Sequence, residues 1–147
     1  ITMGYDEHYG GSEKSGSVSS ISYIKNALAS LNETIPPERN IMALPFYTRL
    51  WKEEDGKVSS QEYGIVKSKQ VLDQFGAKAS WDEETAQNYA EFKSGNATYK
   101  MWLEDKESLE TKLKAVFETN NIAGVAFWKL GLEEPAIWET IIHYTGK

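Results

Sequence analysis

Between Ile41 and Trp51 the chain reads Ile-Met-Ala-Leu-Pro-Phe-Tyr-Thr-Arg-Leu-Trp. Its first half is a short unbroken apolar run, the pattern of a strand covered on both faces. Its second half carries Tyr47, Arg49 and Trp51, side chains with hydrogen-bond donors and flat faces. A strand that must be covered on both sides cannot stand alone, so it needs helices above and below and parallel neighbours. Two further stretches share its form. Met3-Gly4-Tyr5-Asp6 and the run from Ile122 to Gly131 both pass from small or apolar residues to an aromatic or acidic side chain.

The segments between these runs supply the helices. Val18, Ile21, Ile24, Leu28, Leu31 and Ile35 recur at three- and four-residue steps, with Ser19 or Ser20 placed to cap the first turn and Pro36-Pro37 to stop the last. Ahead of this helix, residues 7–17 form a polar loop rich in Gly and Ser. Ile65, Val66, Leu72 and Phe75 mark a second helix closed by Gly76. A third opens at Asp105 as N-cap, with Leu109, Leu113, Val116 and Phe117 as its apolar face, and ends at Asn120-Asn121. A fourth starts at Pro135 and turns Ile137, Trp138, Ile141 and Ile142 inward. The 52–57 segment reads as a solvated turn. Residues 77–105 depart from the β-then-α order. Three short strands there, with Ser94-Gly95-Asn96 as a hairpin turn, predict a small antiparallel insertion.

Repeated β-then-α units imply a parallel sheet with right-handed crossovers. Three such strands leave the sheet uncovered and its edges unpaired. The expectation is therefore that residues 1–147 are the last part of a larger β/α barrel, with 77–105 inserted in it. The chain begins at Ile1 without an initiator Met, which fits a segment whose natural N-terminus lies elsewhere.

Composition narrows the function. A net charge of −6 argues against a nucleic-acid binder, which needs a basic face. No apolar run approaches the ~20 residues of a membrane span. With no cysteine, disulfide and thiolate chemistry are absent from the segment. The five Trp, eight Tyr and five Phe are a rich supply of flat faces. Such faces pack against the axial C–H groups of sugar rings, and they also fill large cores. Asp6-Glu7-His8 does not read as a metal site, because three successive residues on a strand end cannot all face one ion and no partner ligands are visible. No cofactor is expected.

The three strand ends, in this order, resemble glycoside hydrolase family 18, the chitinase-like enzymes built on an eight-stranded β/α barrel. Met3-Gly4-Tyr5-Asp6 has the form of that family's sixth strand, Ala43-Leu44-Pro45-Phe46-Tyr47-Thr48-Arg49 of its seventh, and Gly124-Val125-Ala126-Phe127-Trp128 of its eighth. Ala43 stands where the family has Gly. Tyr-Thr-Arg-Leu-Trp after the seventh strand is nearest to bacterial cell-wall or spore-associated members, which implies an extracellular, cell-wall or spore location. The family also carries an α+β insertion after its seventh strand.

The resemblance implies action on an N-acetylglucosamine-containing polymer, peptidoglycan or chitin, by substrate-assisted catalysis. There the substrate's own acetamido oxygen attacks the anomeric carbon. It implies that Tyr5 donates to that oxygen and that Asp6 accepts from the sugar, both in supporting catalytic roles. Met3 would lie beside the acetamido methyl, Trp128 under the sugar, and Tyr47 and Arg49 on the leaving-group side, with Trp51 lining the cleft. Met3 and Trp128 also suit a plain core. His143 reads as structural. The family's general acid sits on a fourth strand ending Asp-x-x-Asp-x-Glu, and no such motif occurs in these residues. The segment alone is thus expected to be inactive and to self-associate through its open sheet edges. The alternative is a lectin-like barrel that binds amino-sugar polymers without cutting them.

Overall fold

The computed structural model describes residues 1–119 and 121–146. It is a mixed α/β fold with two sheets. In the first, β1 (Thr2–Met3), β2 (Ile41–Pro45) and β8 (Gly124–Trp128) run parallel in the order β1-β2-β8. The register pairs Met3 with Ala43 and Pro45 with Trp128. The three C-terminal ends therefore lie along one edge. β8 is shorter than the predicted strand, and Leu130, beyond it, is exposed.

The second sheet is antiparallel, in the order β4-β3-β7-β6-β5. Its members are β3 (Tyr47–Glu54), β4 (Lys57–Gly64), β5 (Ser80–Asp82), β6 (Gln87–Ser94) and β7 (Ala97–Leu103). Antiparallel strands are expected only within residues 77–105, whereas the sheet already begins at Tyr47. The run from Ile41 to Trp51 is not one strand. It is cut at Phe46, whose N–H makes a 2.7 Å bond to the Trp128 carbonyl before the chain swings into the second sheet. The β3–β4 hairpin turns at Asp55-Gly56, both with positive φ (51° and 72°). That dipeptide is a strong short-range hairpin signal.

Helix α1 (Ile21–Asn32) starts where the Ser20 hydroxyl accepts from Tyr23 N, and it buries Ile21, Ile24 and Leu28. It is shorter than the periodicity suggests at both ends. Val18 is buried in the preceding loop, and Ile35, past the last turn, is exposed. Helix α2 (Ile65–Gln74) buries Ile65, Val71 and Leu72. Helix α3 (Lys106–Lys114) opens with a reciprocal cap. Ser108 N donates to the Asp105 carboxylate, and Asp105 N donates to the Ser108 hydroxyl. A π-helical turn, Ala115–Thr119, continues it.

Helix α4 (Ile137–Thr145) buries Ile137 and Ile141, one turn apart on one face. Ile142, expected to face inward, is 52% exposed, because a residue adjacent to Ile141 is turned ~100° away from it. His143 is also exposed, with its ring edge to face against Tyr144 at 5.0 Å. Ile24, Leu28, Met42, Leu44, Phe46 and Leu113 form one core beneath the parallel sheet. Each such side chain contributes on the order of 1.5–3 kcal/mol of burial. A second core, around Leu50, Leu72 and Met101, lies under the antiparallel sheet. No helix among the described residues is long and apolar enough to cross a membrane.

Candidate active site

Tyr5 and Asp6 follow β1, Tyr47 follows β2 after one residue, and Trp128 ends β8. The parallel register thus sets the three expected groups along one edge. Gly4 permits this close meeting of strand and helix. A Cβ there would lie 2.5 Å from Ile24 Cδ1 and 2.9 Å from the Ala43 carbonyl oxygen. Tyr5 and Tyr47 meet edge to face, with ring centroids 6.1 Å apart. The Tyr47 hydroxyl donates to Asp6 Oδ1 at 2.5 Å. Asp6 is held in the left-handed region (φ 62°). That conformation is uncommon for a residue with a Cβ and tends to mark a functional constraint.

Burial holds the Tyr47 phenol far above its usual value, and the hydrogen bond to Asp6 reinforces the shift. Nearby Glu62 acts in the same sense, while Arg49 opposes. Tyr5 is also raised, by burial first and then by Asp6. Both phenols therefore remain hydrogen-bond donors across the physiological range, beside a carboxylate that accepts.

Arg49 lies next along β3. Its Nη1 donates to Ser60 at 3.0 Å, and its Nη2 is 3.6 Å from Glu62. Its Nε is buried with no hydrogen-bond partner among the described residues. Gly10 from the β1–α1 loop rests on the guanidinium, where a Cβ would approach Nη1 to 3.3 Å. Met3 and Trp128 are exposed, at 64% and 51%, so neither is core. Lys129 Nζ sits 5.9 Å from the Trp128 ring centroid, and the Trp128–Lys129 peptide bond is cis.

Trp51 corrects the sequence reading. It is 1% exposed, and its indole N–H is spent on the Gly16 carbonyl at 2.8 Å. It shares a face of β3 with Tyr47 and Arg49 but is covered there by the β1–α1 loop, so it does not line an open cleft. Trp102 packs on Tyr89 at 4.7 Å, and Trp81 packs beside Ile21 and Ala86.

Glu7 and His8 anchor the loop. The Glu7 carboxylate accepts from Ser20 N and Oγ, and His8 Nδ1 lies 2.8 Å from the Ser17 carbonyl. Among the described residues no cluster of three His, Asp or Glu is arranged to hold a metal.

The loop is also tied to β3. Ser15 Oγ donates to Glu53 at 2.5 Å, and Lys100 Nζ reaches the same carboxylate at 2.9 and 3.0 Å. The Ser15 bond first, and Lys100 with it, hold the Glu53 carboxyl below its usual range. A depressed carboxyl contributes stability above its unfolded value of 4.5 and loses it as pH falls through the lowered folded value. Glu53→Gln is thus expected to cost up to about 1 kcal/mol at pH 7. The gap from the parent protein should close toward pH 3, as read by thermal unfolding at the two pH values.

The family model described as Glycosyl hydrolases family 18 matches residues 3–133. The proteins named cortical fragment-lytic enzyme of Bacillus anthracis and of Bacillus subtilis (strain 168) are each 23% identical over 145 residues. Those alignments cover 97% and 94% of this chain but 33% and 32% of theirs, so the chain spans about a third of the length of these relatives. A chitinase from Chromobacterium violaceum superposes with a TM-score of 0.86 at 18% identity, over 99% of this chain and 44% of that one. The Bacillus cereus spore cortex-lytic enzyme SleL superposes at 0.84 and 21% identity, over 97% of this chain and 33% of its own. At these identities the likeness establishes a shared fold.

Proposed function

This chain belongs to glycosyl hydrolase family 18, and from that premise we propose that it is the C-terminal part, strands six to eight, of a (β/α)8 barrel that hydrolyses N-acetylglucosamine-containing polymer. The antiparallel unit would be the insertion after the seventh strand. The observation that carries this reading is the Tyr5–Asp6–Tyr47 cluster at the C-terminal edge of the parallel strands, where β/α barrels build their sites.

In substrate-assisted hydrolysis the acetamido oxygen is the nucleophile, so the enzyme must orient that group and stabilise the charge it gains. Tyr5 would donate to the acetamido oxygen. Asp6 would accept from the sugar while Tyr47 holds it. Met3 would flank the acetamido methyl, Trp128 would stack under the ring, and Arg49 would contact the leaving-group side. Cleavage further requires a general acid, which these residues do not include and which a strand ending Asp-x-x-Asp-x-Glu would supply. The likeness to cortical fragment-lytic enzymes favours peptidoglycan of the cell wall or spore as the polymer.

The isolated chain is expected to show no turnover on N-acetylglucosamine oligomers or muropeptides, and hydrolysis by it would overturn the proposal. Ile1 and Met3 at the β1 edge, and Trp128 and Leu130 at and beyond the end of β8, leave apolar surface where further strands would pair. Light scattering of the isolated chain should therefore show association, and a monomer at tens of micromolar would count against open edges.

A further inference from the structure

The most deeply buried charges lie away from the site. Lys112 on α3 is 0% exposed and Glu104, just past β7, is 1% exposed; the Lys112 ammonium donates to Glu104 Oε1. Gln87 Nε2 donates to the same oxygen at 2.8 Å, and Ser108 Oγ donates to Oε2 at 2.9 Å. Gln87 is itself 0% exposed, and its amide oxygen accepts from the Ser17 hydroxyl. Ser17 Oγ in turn accepts from Ser19 N at 3.0 Å. The next links reach the turn after β1. Ser19 Oγ donates to the Gly4 carbonyl at 2.6 Å, Glu7 N to the Val18 carbonyl at 3.0 Å, and Ser20 N to Glu7 Oε2 at 2.7 Å. Asp6 lies between Gly4 and Glu7.

A glutamine amide has one donor end and one acceptor end. Beside a buried carboxylate and the Leu103 carbonyl, which accepts at 3.2 Å, the donor end of Gln87 must face Glu104. Its oxygen is then forced toward Ser17, and the Ser17 hydroxyl can only donate to it. This leaves the Ser17 lone pair for Ser19 N. We propose that Glu104 and Lys112 are positioning residues for Asp6: their ion pair fixes the direction of a buried polar relay, through Gln87 and Ser17, that holds the turn on which Asp6 sits. Burial without full satisfaction is costly for each member, so the relay is set as a unit. The claim rests on Asp6 being a site residue, but its structural half can be tested without any ligand.

The experiment is hydrogen exchange by mass spectrometry on the 147-residue chain, comparing the peptide over residues 5–20 with that over residues 47–64. The double variant E104M/K112M removes both charges while keeping apolar volume, a replacement that folded proteins often tolerate. It should exchange about tenfold faster over residues 5–20 while residues 47–64 keep their protection. Ser17→Ala should do the same. The triple variant should add nothing further, because both changes break one relay. Unchanged loop exchange in a folded variant, or equal acceleration in both peptides, would overturn the relay, and so would additive effects in the triple variant. If E104M/K112M does not fold, Ser17→Ala and Gln87→Met replace it, since each leaves the ion pair intact and must still loosen residues 5–20. Absence of sugar binding by the parent chain would bear on the functional proposal and leave this outcome untouched.

Discussion

Lys112→Met is expected to lower stability by ~3–5 kcal/mol at pH 8 and by far less at pH 5. The size follows from burial. Glu104 and Lys112 are 1% and 0% exposed, so removing the ammonium strands a carboxylate with no water to take its place. Even with Lys112 present, burial pushes the Glu104 carboxyl up from 4.5 to about 7, against the pull of the ammonium and of Ser108. Without Lys112 that pull is gone and the carboxyl must move higher still. A carboxyl raised on folding binds its proton more tightly in the folded chain than in the unfolded one. Its contribution is therefore most favourable at low pH and declines as pH climbs from 4.5 through the folded value. At pH 5 the stranded group keeps its proton at little cost and the deficit is small, while at pH 8 the folded chain must hold a proton that the unfolded chain has released, or bury a bare charge, and the deficit is large. Urea unfolding at both pH values reads this directly. A loss that is the same at pH 5 and pH 8 would mean that Glu104 is not the group left unpaired.

In the barrel enzyme we propose, Asp6→Ala is expected to lower kcat/KM by about 10²–10³, the loss typical when one preorganised group at a developing charge is removed. Asp6 is the acceptor for Tyr47 OH at 2.5 Å, and Tyr47 is 3% exposed. Without the carboxylate, the buried phenol must swing toward another acceptor, which also shifts the edge-to-face contact with Tyr5. Alanine at φ 62° adds backbone strain, so Asp6→Gly is the control. Glycine relieves the strain yet lacks the carboxylate, and should show the same kinetic loss with a better thermal midpoint. Loss confined to KM would assign Asp6 to ground-state binding alone. Unchanged kcat/KM would remove it from the site.

The helices were legible because their signals are local. Ser20 and Asp105 cap where their side chains predict, and the three-and-four spacing marks the buried faces of α1 and α3. The three parallel strand ends were legible from their apolar-to-polar transitions. The β3–β4 hairpin was harder. Apolar residues run unbroken across Phe46, which hides the point where one sheet gives way to another. Strand β4, Lys-Val-Ser-Ser-Gln-Glu-Tyr-Gly, lies at a sheet edge and buries no residue fully, so it lacks a period of two. Asp55-Gly56 was the available sign, and the acidic residues around it drew it into a solvated-turn reading. Trp51 was misplaced for the same reason, since the residue that ends a strand faces solvent but the fifth residue of a new strand need not. The Glu104–Lys112 pair was invisible, because two charges eight positions apart across a helix cap are assigned to the surface by composition alone.

Phe46 is the single residue joining the two sheets at their first crossing, and it is 0% exposed, stacked on Phe127 at 4.6 Å and edge-on to Trp138 at 6.0 Å. Where β4 gives way to α2 a Cβ on Gly64 would fall 2.9 Å from the Leu132 carbonyl oxygen, and at the return toward β8 Leu103 passes straight into the buried pair and the α3 cap. A hinge needs residues that can change φ and ψ without losing their packing. None of these junctions offers one. The antiparallel sheet is thus held at a fixed set against the parallel strands, an arrangement decided at folding. Changing that set would mean rebuilding several packed joints at once, whereas side chains along the exposed edge strand β4 can change without touching any of them.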